Sequence, residues 1–265
     1  MNVDGIDVRI EGEGAEAVVM VHGWPDTWRL WDRQVEALRT RYRCVRFSLP
    51  GFEPGEPSRA YSLDELVEAI RRVVEQACPG ERVNLMLHDW GCVFGYQFAM
   101  RHAALVRRVI GVDIGDAGSR RHVAGLGWKA KAMIFGYQVW LALAWRIGGG
   151  LGDAMARTMA RWLRCPSEPA LIGARMGYPY YLQWTGAHGG LHKAKAFTPT
   201  GPLLFIYGRR KPFMFHSEAW AGAVASRPGS RVIGFDTGHW VMVQQPAQFN
   251  RVVLDWLGDG DAAPG

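Results

Sequence analysis

A single carboxylate, Asp89, stands inside Val83 to Tyr96, VNLMLHDWGCVFGY. Val83 to Leu87 is a run of mostly branched or large apolar residues, the composition of a parallel strand covered on both faces. His88-Asp89-Trp90-Gly91 follows, and apolar residues at helical spacing, among them Val93, Phe94 and Phe98, begin within three positions. So abrupt a reversal leaves Asp89 strained and exposed at the carboxyl end of the strand, facing the helix N-terminus. An aspartate is ionised at neutral pH, so it can attack an electrophilic sp3 carbon without a base to deprotonate it and leave an alkyl ester on the protein. Releasing that ester requires a second group, such as an imidazole, to activate water.

This strand, turn and helix form a nucleophile elbow with aspartate where esterases place serine. Together with His22-Gly23-Trp24-Pro25 and Gly238-His239-Trp240, in that order along nearly the whole chain, it resembles the α/β-hydrolase fold. The branch it is most similar to is the aspartate-nucleophile one, epoxide hydrolases and haloalkane dehalogenases. The resemblance implies a mostly parallel sheet flanked by helices with an inserted helical cap. The core would comprise 1–116 and 201–265, and the cap 117–200 would follow the family's sixth strand. It implies catalytic Asp89 and His239, with the backbone N–H groups of Trp24 and Trp90 as an oxyanion hole.

The orienting acid departs from the common pattern. Most relatives carry it after the later strand, here Leu203 to Tyr207, but this chain continues Gly208-Arg209-Arg210-Lys211-Pro212 without a carboxylate. Some haloalkane dehalogenases place it after the earlier strand, and Asp113 lies 24 residues beyond Asp89, a similar spacing. Asp113 is therefore assigned to orient His239, with Asp116 as its rival. A base lacking such a partner loses tautomer control.

Epoxide hydrolases use cap tyrosines to protonate the epoxide oxygen, and the candidates are Tyr137, Tyr178, Tyr180 and Tyr181, with Tyr137 and Tyr181 favoured. Thr185 stands where the family segment around Leu182-Gln183-Trp184 normally has tyrosine. The His-Gly-Trp-Pro-Asp-Thr-Trp run looks like epoxide hydrolases, whereas Leu87, in place of their usual glycine, and Asp113 lean toward dehalogenases. Hydrolysis of epoxides to vicinal diols is the expected activity. The alternatives are a haloalkane dehalogenase and a decayed hydrolase scaffold serving as a ligand receptor.

The elements that must position these groups are legible in outline. Ile6 to Ile10, Ala17 to Val21, Tyr42 to Leu49, Val106 to Ile114, Leu203 to Tyr207 and Arg231 to Phe235 read as strands. Helices are expected at Trp31 to Leu38, at Ser217 to Ala225 and from Pro246 to Leu257. Another begins at Ser62, with Glu65 as its capping-box partner, and stops near Pro79-Gly80. Between 117 and 200 the strand pattern gives way to aromatic-rich helical sequence with glycine breaks.

Composition bounds the function further. The net charge of +6 is carried by basic residues scattered in ones and twos, which argues against nucleic acid. Cys44, Cys78, Cys92 and Cys165 lack metal-ligand spacing and read as core thiols, so neither metal nor cofactor is expected. The start, Met1-Asn2-Val3-Asp4, is too acidic for a signal peptide, which points to the cytoplasm. The most apolar run, Ala132 to Trp145, is too short to span a bilayer and suits a cap or interfacial helix, so stable membrane insertion is not expected. The expected partners are a small apolar organic substrate and water, with the protein a monomer or homodimer.

Overall fold

The computed structural model describes residues 1–258. Its centre is an eight-stranded sheet of order β1-β2-β4-β3-β5-β6-β7-β8. The strands are β1 (Asn2–Val3), β2 (Ile6–Glu11), β3 (Ala17–Val21), β4 (Arg43–Phe47), β5 (Val83–His88), β6 (Val106–Val112), β7 (Leu203–Gly208) and β8 (Arg231–Phe235). Pairing is antiparallel from β1 to β4 and parallel from β4 onward. β1 went unread in the sequence, although Asp4-Gly5 marks it. Both residues have positive φ, as a two-residue hairpin turn needs, and Val3 pairs with Ile6.

Parallel strands buried on both faces explain the continuous apolar runs. Val19 and Val21 of β3 face one core with Leu66 and Phe98, while Val18 and Met20 face the other with Trp31 and Phe249. The helices covering the sheet are α1 (Asp32–Leu38), α2 (Leu63–Ala77) and α3 (Trp90–Arg101). Between β6 and β7 come α4 (Arg120–Gly125), α5 (Trp128–Ile147), α6 (Gly149–Trp162) and α7 (Tyr178–Thr185), and the chain continues with α8 (Glu218–Ala225), α9 (Val241–Gln244) and α10 (Pro246–Gly258). Ser62 caps α2 through the reciprocal hydrogen bonds with Glu65 that its spacing implies. All four cysteines are free thiols, three of them buried.

Two strands are shorter than their hydrophobicity suggests. β4 occupies Arg43–Phe47 rather than Tyr42 to Leu49. β6 stops at Val112 because Asp113 takes φ +70°, a left-handed conformation that ends the pleat and swings its carboxylate out of the sheet.

Candidate active site

Asp89 joins β5 to α3 with no intervening loop and sits at φ +51°, ψ −123°. A non-glycine residue there stores strain, which persists because the surroundings dictate it. The close approach of the neighbouring chain requires glycine at two positions. A Cβ on Gly91 would lie 2.3 Å from the Val21 carbonyl oxygen, and one on Gly23 would lie 2.4 Å from both Asp89 Oδ1 and Trp90 N.

With that space free, Trp24 N–H donates to Asp89 Oδ1 at 2.7 Å, and the Trp90 N–H also hydrogen-bonds the carboxylate. The loop bearing Trp24 is tied down by His22, whose Nε2 accepts from Leu49 N–H at 3.0 Å while Nδ1–H donates to the Gly23 carbonyl at 2.9 Å. Those roles require a neutral ring, and burial keeps it neutral by pulling its pKa down to about 4.

On the other oxygen, His239 Nε2 lies 3.5 Å from Asp89 Oδ2. His239 Nδ1 is 2.5 Å from Asp113 Oδ2, so the imidazole bridges two carboxylates. Burial alone would lower its pKa, but Asp113 and then Asp89 outweigh that and raise it to about 9. Asp89 stays below the usual carboxylate range. Burial pushes it up, and the His239 hydrogen bond and charge more than compensate. Asp116 is turned away from the imidazole and accepts from Ser217 N, Ser217 Oγ and Ser119 Oγ.

A cavity of about 580 Å³ opens above Asp89 and Trp90, with Tyr137 and Tyr180 in its wall. Burial, followed for Tyr180 by the charge of Asp89, holds both hydroxyls well above the ordinary phenol pKa, so they remain protonated at neutral pH. The Tyr180 ring packs edge-on against Trp90 with centroids 5.2 Å apart. The expectation of Tyr181 in this place is corrected. Consecutive residues on a helix point about 100° apart, and Tyr181 packs on Trp145 of α5 with centroids 4.3 Å apart. Tyr178 also serves structure, donating to the Pro50 carbonyl at 3.0 Å.

Residues 16–246 match the model of the alpha/beta hydrolase fold family. The chain belongs to that family. Epoxide hydrolase 2 of Caenorhabditis elegans is 35% identical over 98 residues, which cover 36% of this chain and 27% of that protein. AB hydrolase superfamily protein YfhM of Bacillus subtilis is 22% identical over 97% of this chain and 96% of its own length. Among solved structures, an epoxide hydrolase from Bacillus megaterium superposes with a TM-score of 0.73, at 20% identity over 97% of this chain and 99% of that one. At such identity the likeness carries the fold.

This α/β-hydrolase has one feature its sequence did not disclose. In the segment after β7, Lys211 turns inward, and its ammonium contacts Asp113 Oδ1, which also accepts from Gly208 N–H at 3.0 Å. Burial lowers the pKa of Lys211, with Asp113 opposing. Burial would raise the pKa of Asp113, but Lys211 and then His239 hold it far below the usual range. Arg209-Arg210-Lys211 reads as a solvated basic run, and only the third member is buried. Among the described residues, no cluster of His, Cys, Asp or Glu is arranged to hold a metal ion.

Proposed function

We propose that this α/β-hydrolase opens epoxides to vicinal diols through a covalent ester on Asp89. The observation that carries this reading is the split environment of the carboxylate, whose Oδ1 accepts from the Trp24 N–H while Oδ2 lies 3.5 Å from His239 Nε2, with the Trp90 N–H also favouring the charged form. Oδ2 bonds to an epoxide carbon, the C–O bond breaks toward oxygen, and Tyr137 or Tyr180 gives the departing alkoxide its proton. With the Asp89 charge gone, the His239 imidazolium releases its proton to solvent, and the neutral ring, held in one tautomer by Asp113, takes a proton from water as that water attacks the ester carbonyl. The negative charge gathers on Oδ1, where the Trp24 N–H is already aimed and the Trp90 N–H is close by, an arrangement worth several kcal/mol in a dry site. Collapse returns the carboxyl group and releases the diol, which takes its last proton from the imidazolium, while the carboxyl proton restores the tyrosine. Helices α5 and α7 act as a cap over this chemistry, excluding water.

Epoxide is favoured over haloalkane by where the donors point. The Trp90 ring packs edge-on against Tyr180, and Trp24 offers Asp89 its backbone N–H while its indole lies buried among the described residues without a hydrogen-bond partner. Two protonated phenols suit a developing alkoxide better than a halide. The test is a single turnover of styrene oxide in heavy-oxygen water, followed by mass spectrometry of the Asp89 peptide. Label in Asp89 is the expected result, and label confined to the diol means direct attack by water. Bromide release from 1-bromobutane without diol formation indicates the dehalogenase, and silence on broad panels of both substrates indicates a receptor.

A further inference from the structure

Helix α5 is mostly apolar, with Lys129, Lys131, Gln138 and Arg146 its polar side chains apart from Tyr137 and the indoles, yet it is only half covered. Its inner side, with Ile134, Tyr137 and Leu141, faces the cavity and the rest of the fold. Its outer side leaves Phe135 53% exposed, Leu143 49%, Ile147 51% and Trp128 75%. At 100° per residue, these four with Met133 and Trp140 occupy an arc of less than half a turn, in which the exposed Lys129 and Arg146 also fall. Helix α6 packs beside it, Trp140 Nε1 donating to the Met155 carbonyl at 3.0 Å, and extends the surface with Leu151 and Trp162, which are 65% and 78% exposed. A soluble surface rarely carries so many large apolar side chains together without a partner.

Charge identifies the partner. From Ala117 to Arg164 the chain has eight Lys and Arg residues and one acid, Asp153, whose carboxylate is already engaged by Ala174 N–H at 2.7 Å and lies 3.9 Å from Arg157. A second copy of the chain docking face to face would bring the same cationic segment against itself, because a two-fold interface pairs each patch with itself. A surface apolar within and negative at its rim satisfies both features, and a bilayer containing anionic lipids is such a surface. Tryptophan prefers the headgroup boundary, and Trp128, Trp140 and Trp162 are all placed to occupy it. Among the described residues no helix is long and apolar enough to cross a membrane, so the contact is peripheral.

We infer that the outer face of α5 and α6 docks reversibly on anionic lipid bilayers. The inner side of the same helix walls the cavity, so docking would set the substrate site next to the phase where apolar molecules collect. Docking through this face does not depend on the chemistry at Asp89.

The experiment is cosedimentation with phosphatidylcholine vesicles, with and without added phosphatidylglycerol. The protein is expected to sediment with the mixed vesicles, to stay in solution with phosphatidylcholine alone, and to leave the mixed vesicles at high salt. Trp128→Ser combined with Trp162→Ser should reduce vesicle binding at least tenfold while leaving turnover of a water-soluble substrate unchanged, since neither residue lines the cavity. Absence of binding to mixed vesicles, or equal binding by the double variant, overturns the inference. So does a dimer in sedimentation equilibrium that the double variant abolishes, because the face would then belong to a second copy.

Discussion

Esterification of Asp89 should change the protonation of His239, and that change is measurable. In the free protein the imidazole lies between two carboxylates with a pKa of about 9, so it is protonated across the neutral range. Forming the ester removes the negative charge 3.5 Å from Nε2. At an effective dielectric constant of about 20, that charge is worth about 4 to 5 kcal/mol, or about three pH units. The imidazolium midpoint then falls from about 9 to about 6, because loss of a neighbouring negative charge disfavours the cation. On the proposed mechanism, His239 would therefore become a base only after Asp89 has reacted, when a base is needed. The two steps should show different pH profiles. Ester formation requires ionised Asp89 and protonated tyrosine, so its rate should be flat from about pH 6 to about pH 9. Ester hydrolysis should rise with pH through a midpoint near 6. Stopped-flow tryptophan fluorescence with styrene oxide can separate the phases, since Trp24 and Trp90 flank the carboxylate. A hydrolysis phase with its midpoint near 9, matching the imidazole titration of the free protein, would refute the reasoning.

Three further outcomes test the rest of the site. Tyr180→Phe should slow ester formation about 100-fold by removing a proton donor, whereas Tyr181→Phe should change turnover by less than about twofold because its ring packs on Trp145; equal losses in the two variants would return the role to packing. Lys211→Met leaves the charge of Asp113 acting on His239 alone, so the midpoint of ester hydrolysis should move upward by about one pH unit; a downward move in the pH-rate profile would show that Lys211 does not compete for Asp113. Gly23→Ala forces a methyl group against Asp89 Oδ1 and Trp90 N, and ester formation should fall at least about 100-fold as the donors are displaced; adduct formation at the original rate, seen by mass spectrometry, would mean the hole is not used.

The parts of the site that could be read from sequence are those made by neighbours along the chain. Val83 to Gly91 encodes a strand and a reversal within nine residues, and the strained backbone of Asp89 follows from that local economy. Asp113 could be named against Asp116, but the left-handed turn that sends one acid to His239 and the other to Ser217 depends on β6 ending against β7. Strand ends misjudged by a residue or two have the same origin, since hydrophobicity continues past the last ladder hydrogen bond.

By itself the sequence determined the α/β-hydrolase fold, the carboxylate at the elbow and the order of the groups along the chain. Adjacent residues specify these features because they act through backbone conformation and short-range sterics. Tertiary structure alone decided that Tyr180 rather than Tyr181 enters the cavity, that Lys211 is buried against Asp113, and that one side of α5 remains uncovered. Each of these depends on the rotation of a helix or the inward turn of one side chain in a basic run, and both are set by packing against residues far away in the chain.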